Sequence, residues 1–194
     1  MITVVSNRKL IQESKGLLET LINSCTLNVD RIIIREKDLD VNTIKNLVEK
    51  LNPYAKEYNI DIFVNSPYEL EEGLGASGRH YTFKQFMELK KKPNYKIGVS
   101  VHSVDEIRLL NEFDIEYVLL GHIFETDCKK NTSPRGTEFL VELRKESSNK
   151  VIPIGGINLN NYEELEYKSK NDFALMSSVM KCNNPKKYIG KFNF

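Results

Sequence analysis

Eight short apolar runs, most of them followed by a segment with helical spacing, constrain the fold of this chain more than any other feature. Runs such as Ile32–Ile34 and Val118–Leu120 do not alternate with polar residues, which is typical of strands buried on both faces of a parallel sheet. The predicted strands are Ile2–Ser6, Arg31–Arg35, Ile60–Asn65, Glu72–Gly75, Tyr95–Ser100, Glu116–Leu120, Val151–Ile154 and Asp172–Met176.

The segments between these runs have the spacing of amphipathic helices, with apolar residues three and four positions apart. The clearest stripe comprises Val41, Ile44, Leu47, Val48, Leu51 and Ala55. Ser103, with Glu106 three residues later, predicts a capping box at another helix start. The alternation predicts an α/β fold, a (β/α)8 TIM barrel that residues 1–194 form as a single domain. A doubly wound sheet shows the same alternation and is the alternative, but the barrel is favoured because polar clusters follow strands along the whole chain.

The charge balance and the cysteines exclude several classes of protein. The 28 Lys and Arg residues nearly cancel the 27 Asp and Glu residues, which gives no electrostatic case for a nucleic acid or membrane partner. No apolar run approaches the ~20 residues of a membrane span, and Met1–Ser6 does not have the pattern of a signal peptide. Cys25, Cys128 and Cys182 lack metal-ligand spacing and indicate no disulfide framework, so a cytoplasmic location is expected.

The segment Gly121–Lys130 directly follows a predicted buried strand and concentrates groups that can transfer protons or bind anions. It contains His122 together with Glu125, Thr126, Asp127, Cys128 and Lys129. Barrel active sites form after the carboxyl ends of strands, and an imidazole can take and return a proton near neutral pH. His122 is therefore the candidate general acid and base. The alternative is a structural histidine that bonds a loop carbonyl.

Three further clusters follow other predicted strands. Gly155 and Gly156, and then Ser177 one strand later, lie where many barrels bind phosphate, although two glycines also suit a tight turn. Arg35 and Lys37 are candidates for an anionic substrate group, or belong to a solvated charged turn. The full set of predicted substrate-binding residues is Arg35, Lys37, Ser100, Thr126, Cys128, Lys129, Gly155, Gly156, Met176, Ser177 and Ser178.

These motifs together resemble the thiamine phosphate synthase and TenI superfamily over almost the whole chain. The residues that carry the resemblance are Ile34–Asp38, Gly98–Ser103, Tyr117–Lys130, Arg135-Gly136 and Ile154–Ile157. In the synthases the segment after the sixth strand looks like Gly-Pro-(Ile/Val)-(Phe/Tyr)-Pro-Thr-x-Thr-Lys. Here His122 and Glu125 replace the two prolines and Cys128 replaces a threonine, which resembles the TenI-type thiazole tautomerases.

The resemblance implies an isomerase of thiamin biosynthesis, which converts a carboxylated dihydrothiazole phosphate into the aromatic carboxythiazole ethyl phosphate. It implies that His122 transfers the proton, that Gly155, Gly156, Met176, Ser177 and Ser178 bind the phosphate, and that Arg35 and Lys37 meet the carboxylate. Thr126, Cys128 and Lys129 would form the wall beside the ring. No cofactor or metal is expected, the partner is a small thiazole phosphate, and a homo-oligomer is left open.

Two alternatives follow from the same resemblance. The first is a thiamine phosphate synthase, which joins a pyrimidine pyrophosphate to the thiazole phosphate with Mg²⁺. Synthases place one acidic metal ligand just after the Asn that ends strand three and another after strand four. Here Ser66 follows Asn65, and Gly73–His80 contains no carboxylate, so anionic oxygen ligands are missing. The second alternative is a regulatory barrel that binds the thiazole phosphate without turnover.

Overall fold

The computed structural model describes residues 1–68, 74–91, 93–129, 132–165 and 172–193. Eight strands pair in chain order into a closed barrel, which confirms the predicted (β/α)8 fold. The strands are β1 (Ile2–Val5), β2 (Val29–Ile34), β3 (Asp61–Val64), β4 (Gly78–Thr82), β5 (Lys96–Val101), β6 (Tyr117–Gly121), β7 (Val151–Ile154) and β8 (Phe173–Leu175).

Helices follow most of the strands. They are α1 (Leu17–Ile22), α2 (Val41–Glu57), α3 (Phe83–Met87), α4 (Val104–Leu110), α5 (Gly136–Glu146), α6 (Ser177–Met180) and α7 (Pro185–Ile189), with short 3-10 helices at Arg8–Leu10, Asp127–Lys129 and Tyr162–Leu165. The predicted stripe of α2 is buried from Ile44 to Ala55. Ser103 caps α4 by accepting from the Glu106 N–H, while the Glu106 carboxylate accepts from the His102 N–H. Within these described ranges, no helix is long and apolar enough to cross a membrane.

The chain divides into two compact units, Met1–Gly78 with Leu175–Phe194, and Arg79–Ala174. In the first unit β1, β2 and β3 pair in parallel, and α2 packs against α1 and β3. In the second, β5, β6 and β7 pair in parallel, and Ile154 of β7 pairs with Ala174. A single domain over residues 1–194 stays a prediction.

The non-alternating runs are strands buried on both faces, as predicted. Ile32, Ile33 and Ile34 in β2 are at most 1% exposed. Every residue of β6 is buried as well. Such strands supply apolar surface to both sides of the sheet, and each fully buried aliphatic side chain contributes about 1.5–3 kcal/mol.

The predicted fourth strand, Glu72–Gly75, is wrong. Its first two residues lie outside the described part of the chain, Leu74 and Gly75 form a bend, and β4 runs from Gly78 to Thr82. Sequence reasoning missed β4 because its members Arg79 and His80 are polar. His80 is nevertheless buried in the strand, where hydrogen bonds to its ring compensate for the loss of water.

Candidate functional site

His122 lies immediately after β6 and is only 5% exposed. Its Nε2 atom is 3.1 Å from the carbonyl oxygen of Thr132. A carbonyl oxygen can only accept a hydrogen bond, so Nε2 carries the hydrogen and Nδ1 is the basic nitrogen of the neutral ring. The structure therefore contains the loop-carbonyl bond of the structural alternative, and it still leaves one nitrogen able to take a proton.

Backbone hydrogen bonds hold the residues after β6 from two sides. The Ile123 N–H donates to the Ile154 carbonyl, and the Phe124 N–H donates to that of Gly155. From the other side, the Arg135 N–H donates to the His122 carbonyl. Because these bonds use main-chain atoms, they fix the direction of the His122 side chain without help from the surface charges around it.

The turn after β7 fits against the same residues because it consists of two glycines. Gly155 and Gly156 have φ values of 102° and 73°, in the region that favours glycine. A Cβ atom on Gly155 would lie 2.3 Å from the Cβ of His122, and one on Gly156 would lie 2.4 Å from the Glu125 carbonyl oxygen. The tight turn that the sequence offered as an alternative is thus present, and it packs directly on His122. The phosphate-binding role of both glycines stays a prediction.

An open depression of about 760 Å³ lies beside this segment. It is lined by Glu125, Thr126, Asp127, Lys129, Thr132, Ser133 and Pro134. Two of the predicted wall residues, Thr126 and Lys129, line it together with Thr132, the residue that bonds His122. Cys128 is exposed and is not among the lining residues, and Lys130 lies outside the described part of the chain. The Thr126 hydroxyl accepts from the Cys128 N–H and orders this turn.

In the charged segment after β2, both carboxylates are already hydrogen-bonded or ion-paired with other residues of the protein. Glu36 is 3% exposed and accepts from the Ser6 hydroxyl at 2.7 Å and from the Arg8 N–H at 3.0 Å. Asp38 forms ion pairs with Arg8 at 2.6 Å and with Lys9 at 3.0 Å. Hydrogen bonds from Arg8 and then Lys9 hold the pKa of the Asp38 carboxyl well below its usual range.

The two cations of that segment point to solvent. Arg35 and Lys37 are both exposed, and no carboxylate among the described residues pairs with either side chain. Partial desolvation, and then the charge of Arg35, lowers the pKa of the Lys37 amine. Two adjacent cations whose neighbouring acids are already paired can attract an anionic group. The predicted contact with a substrate carboxylate stays a prediction.

The predicted phosphate residues of the last strand lie at its carboxyl end. Met176 precedes α6, and its carbonyl accepts from the N–H groups of Val179 and Met180. Ser177 and Ser178 begin α6 and are half-buried. Their role in binding phosphate stays a prediction.

Ser100, a predicted substrate-binding residue, belongs to a polar cluster in the second unit with the buried residues His80 and Tyr117, whose part in it sequence reasoning missed. The His80 Nδ1 atom is 2.9 Å from the Tyr117 hydroxyl, and Nε2 is 2.7 Å from the Ser100 hydroxyl. The Tyr117 ring lies over Gly98, where a Cβ would approach within 2.2 Å. Gly98 within a strand run was the sequence signal that could have indicated a large side chain from a neighbouring strand.

Among the described residues, those directly after β3 and those of α3 after β4 do not fit the magnesium site that the resemblance to the synthases implies. Ser66 follows Asn65, and its hydroxyl accepts from the Tyr68 N–H at 3.2 Å. With β4 ending at Thr82, the following helix α3 contains no carboxylate. Among the residues that the structure describes, no three His, Cys, Asp or Glu side chains gather in a way that could hold a metal ion. The acidic residues next along the chain after Tyr68, which are Glu69, Glu71 and Glu72, lie outside that part of the chain.

A closed (β/α)8 barrel with a histidine and charged side chains after its strands has an architecture that many small-molecule enzymes share. The sequence profile described as thiamine monophosphate synthase, TMP-TENI, matches residues 2–179. The chain belongs to this family, as the sequence motifs indicated.

Relatives in sequence carry the name of the synthase. A thiamine-phosphate synthase of Clostridium tetani is 24% identical over 177 residues, covering 89% of this chain and 83% of the relative. One of Pyrococcus abyssi is 26% identical over 187 residues, covering 95% and 88%.

Solved structures agree on the fold. A thiamine phosphate pyrophosphorylase of Pyrococcus furiosus superimposes with a TM-score of 0.78 at 24% identity, covering 97% of this chain and 91% of that one. A 3-hexulose-6-phosphate synthase of Salmonella typhimurium gives 0.62 at 13% identity, covering 98% and 96%. Likeness at this level of identity concerns the fold alone.

Proposed function

We propose that this member of the family is a thiazole tautomerase, which isomerises a carboxylated dihydrothiazole phosphate to the aromatic carboxythiazole ethyl phosphate. The observation that supports it most is the state of His122. The ring is buried at the end of β6, and Nε2–H donates to a carbonyl, so Nδ1 is the nitrogen whose lone pair is left to act as a base. General acid and base catalysis of this kind contributes typically ~10²–10⁴ in rate.

The proposed reaction needs one proton removed and one delivered. Nδ1 of His122 takes the proton from the saturated ring carbon, and the electrons move through the conjugated system toward the exocyclic double bond. The imidazolium that forms keeps its Nε2–H bond to the Thr132 carbonyl, which stabilises the positive charge. Nδ1–H then returns the proton to the exocyclic carbon. The ring becomes aromatic, and His122 returns to its starting tautomer.

The lack of oxygen ligands for a metal ion among the described residues supports an isomerisation rather than a metal-dependent transfer. In the part of the chain that the structure describes, neither Ser66 nor α3 supplies an anionic oxygen at the positions where the resemblance implies the metal ligands of a synthase. Proton transfer within one substrate requires no such ligands. Arg35 and Lys37, exposed beside their paired acids, are proposed to attract the substrate carboxylate.

Thiamine phosphate synthesis is the second candidate, and the names of the relatives favour it. The two reactions are separated by assaying each with Mg²⁺ and with a chelator. A tautomerase isomerises the dihydrothiazole equally in both conditions. Pyrimidine transfer that appears only with Mg²⁺ would replace the proposal with the synthase.

The variant His122→Gln tests the proposal directly. Glutamine retains a hydrogen-bond donor for the Thr132 carbonyl but cannot act as a base, so we expect kcat to fall by about two orders of magnitude or more while binding of the thiazole phosphate changes little. The matched control is His102→Gln, because His102 is exposed and its backbone N–H, rather than its ring, donates to Glu106. Wild-type turnover in His122→Gln would make His122 structural. Tight binding without turnover in the wild type would indicate a regulatory barrel.

A further inference from the structure

His80 and Tyr117, two buried residues that form a cluster with Ser100, have no role in the reaction described above. His80 is 5% exposed and Tyr117 is fully buried, whereas Ser100 is half-buried at the carboxyl end of β5. Both ring nitrogens of His80 are used, one by each hydroxyl. A neutral imidazole has one donor and one acceptor, so the two hydroxyls cannot have the same role toward it.

Two arrangements of hydrogens satisfy the two hydrogen bonds of the His80 ring. In the first, the Tyr117 O–H donates to Nδ1 and Nε2–H donates to the Ser100 oxygen. In the second, the Ser100 O–H donates to Nε2 and Nδ1–H donates to the Tyr117 oxygen. A phenol is a stronger acid than an aliphatic alcohol and is therefore the better donor to an imidazole nitrogen, which favours the first arrangement. In it, the Ser100 hydrogen is directed away from His80.

We propose that His80 and Tyr117 are positioning residues that keep the Ser100 hydroxyl as a hydrogen-bond donor to the ligand of this barrel. No second partner of that hydroxyl is found among the described residues, so its hydrogen remains available. Ser100 lies on β5, next to β6, which ends just before His122, and it pairs in register with Leu119 of β6. An anionic or heteroaromatic acceptor, such as the carboxylated thiazole, is the chemistry this donor recognises. The inference rests on the proposed function for the identity of that ligand.

A double-mutant cycle of Tyr117→Phe and Ser100→Ala tests the proposal. Tyr117→Phe keeps the ring over Gly98 and removes only the donor to Nδ1, which frees His80 to adopt the other tautomer. We expect Ser100→Ala to lower kcat/KM for the isomerisation about tenfold and Tyr117→Phe about three- to fivefold, the range of one lost or weakened hydrogen bond. In the Ser100→Ala background, Tyr117→Phe should change kcat/KM by less than about 1.5-fold.

The matched control is Tyr81→Phe, because Tyr81 is also a buried tyrosine of this unit whose hydroxyl pairs with another side chain, that of Tyr95. It should leave kcat/KM within about 1.5-fold of the wild type. In a further variant, His80→Gln, the new side chain cannot bond both hydroxyls, so kcat/KM should fall. As with Tyr117→Phe, that fall should disappear in the Ser100→Ala background. If Tyr117→Phe lowers kcat/KM equally in both backgrounds, or if Tyr81→Phe lowers it as much, the positioning role is overturned.

Affinity for carboxythiazole ethyl phosphate, measured by calorimetry on the same variants, separates this inference from the proposed function. Binding that shows the coupling without wild-type turnover supports the positioning role and contradicts the tautomerase. Turnover in the wild type with additive variants contradicts the positioning role alone. A wild-type protein that neither binds nor converts the thiazole overturns both.

Discussion

The segments after β2 and β6 both place charged and titratable residues at the end of a buried strand, but the structure holds them by different means. After β6, main-chain hydrogen bonds and the close approach of Gly155 fix His122. After β2, side-chain ion pairs with Arg8 fix Glu36 and Asp38. A segment held by its backbone tolerates changes of salt and pH, whereas one held by charges responds to both.

The largest effect is expected from Gly155→Ala, which disturbs the segment after β6, the one that main-chain hydrogen bonds hold. The new Cβ would lie 2.3 Å from the His122 Cβ, at a φ of 102° that alanine rarely adopts. We expect the free energy of unfolding to fall by about 2–4 kcal/mol and turnover to fall at least about 100-fold. Chemical denaturation and steady-state kinetics measure the two.

Gly16→Ala is the control for this substitution, because nothing lies within 4 Å of the Cβ it would create. Gly16 is the N-cap of α1, where alanine is less favourable, but alanine also lowers the entropy of the unfolded chain, so the free energy of unfolding should change by less than about 1 kcal/mol. Gly155→Ala behaving like Gly16→Ala would show that the turn after β7 does not support His122.

A smaller effect is expected from Glu36→Gln in the charge-held segment. The buried carboxylate accepts from the Ser6 hydroxyl and from Arg8, and the amide retains acceptor capacity at only one oxygen. We expect the free energy of unfolding to fall by about 1–3 kcal/mol. The Ser6 hydroxyl also accepts from the N–H of Arg35, the proposed contact of the substrate carboxylate. We therefore expect KM to rise by a larger factor than kcat falls. Glu49→Gln, on an exposed position of α2, is the control. A fall in kcat at constant KM would separate this segment from substrate binding.

The smallest effect is expected from Asp38→Asn, and its size depends on pH. Because ion pairing lowers the folded-state pKa of Asp38, the carboxylate stabilises the fold above its unfolded-state pKa of about 3.9. That stabilisation disappears as the pH falls below this value toward the folded-state pKa. Wild type should therefore be slightly more stable than Asp38→Asn at pH 7, and the two should converge as the pH falls below about 4. Denaturation curves across this pH range measure the difference, and a constant gap would remove Asp38 from the charge-held segment.

The sequence alone predicted the features that depend on a local pattern of residues. Non-alternating runs indicated β2 and β6, and the motif after β6 indicated the family, which the profile match confirms. Polar His80 hid β4, because its burial depends on partners from two other strands. The bond between His122 and Thr132 joins residues of one loop, yet no periodicity encodes it. Pattern therefore predicts elements and candidate residues, whereas hydrogen-bond partners depend on the folded geometry.

The fit of Gly155 against His122 couples two loops that are separate in the chain. A Cβ at position 155 would lie 2.3 Å from the Cβ and 2.7 Å from the Cα of His122, so bulk added there requires the backbone of the loop after β6 to move as well. Exchange of the loop after β6 with that of a relative should therefore succeed only when the turn after β7 is transplanted with it. Any attempt to redesign the specificity of this barrel should therefore change the two loops together.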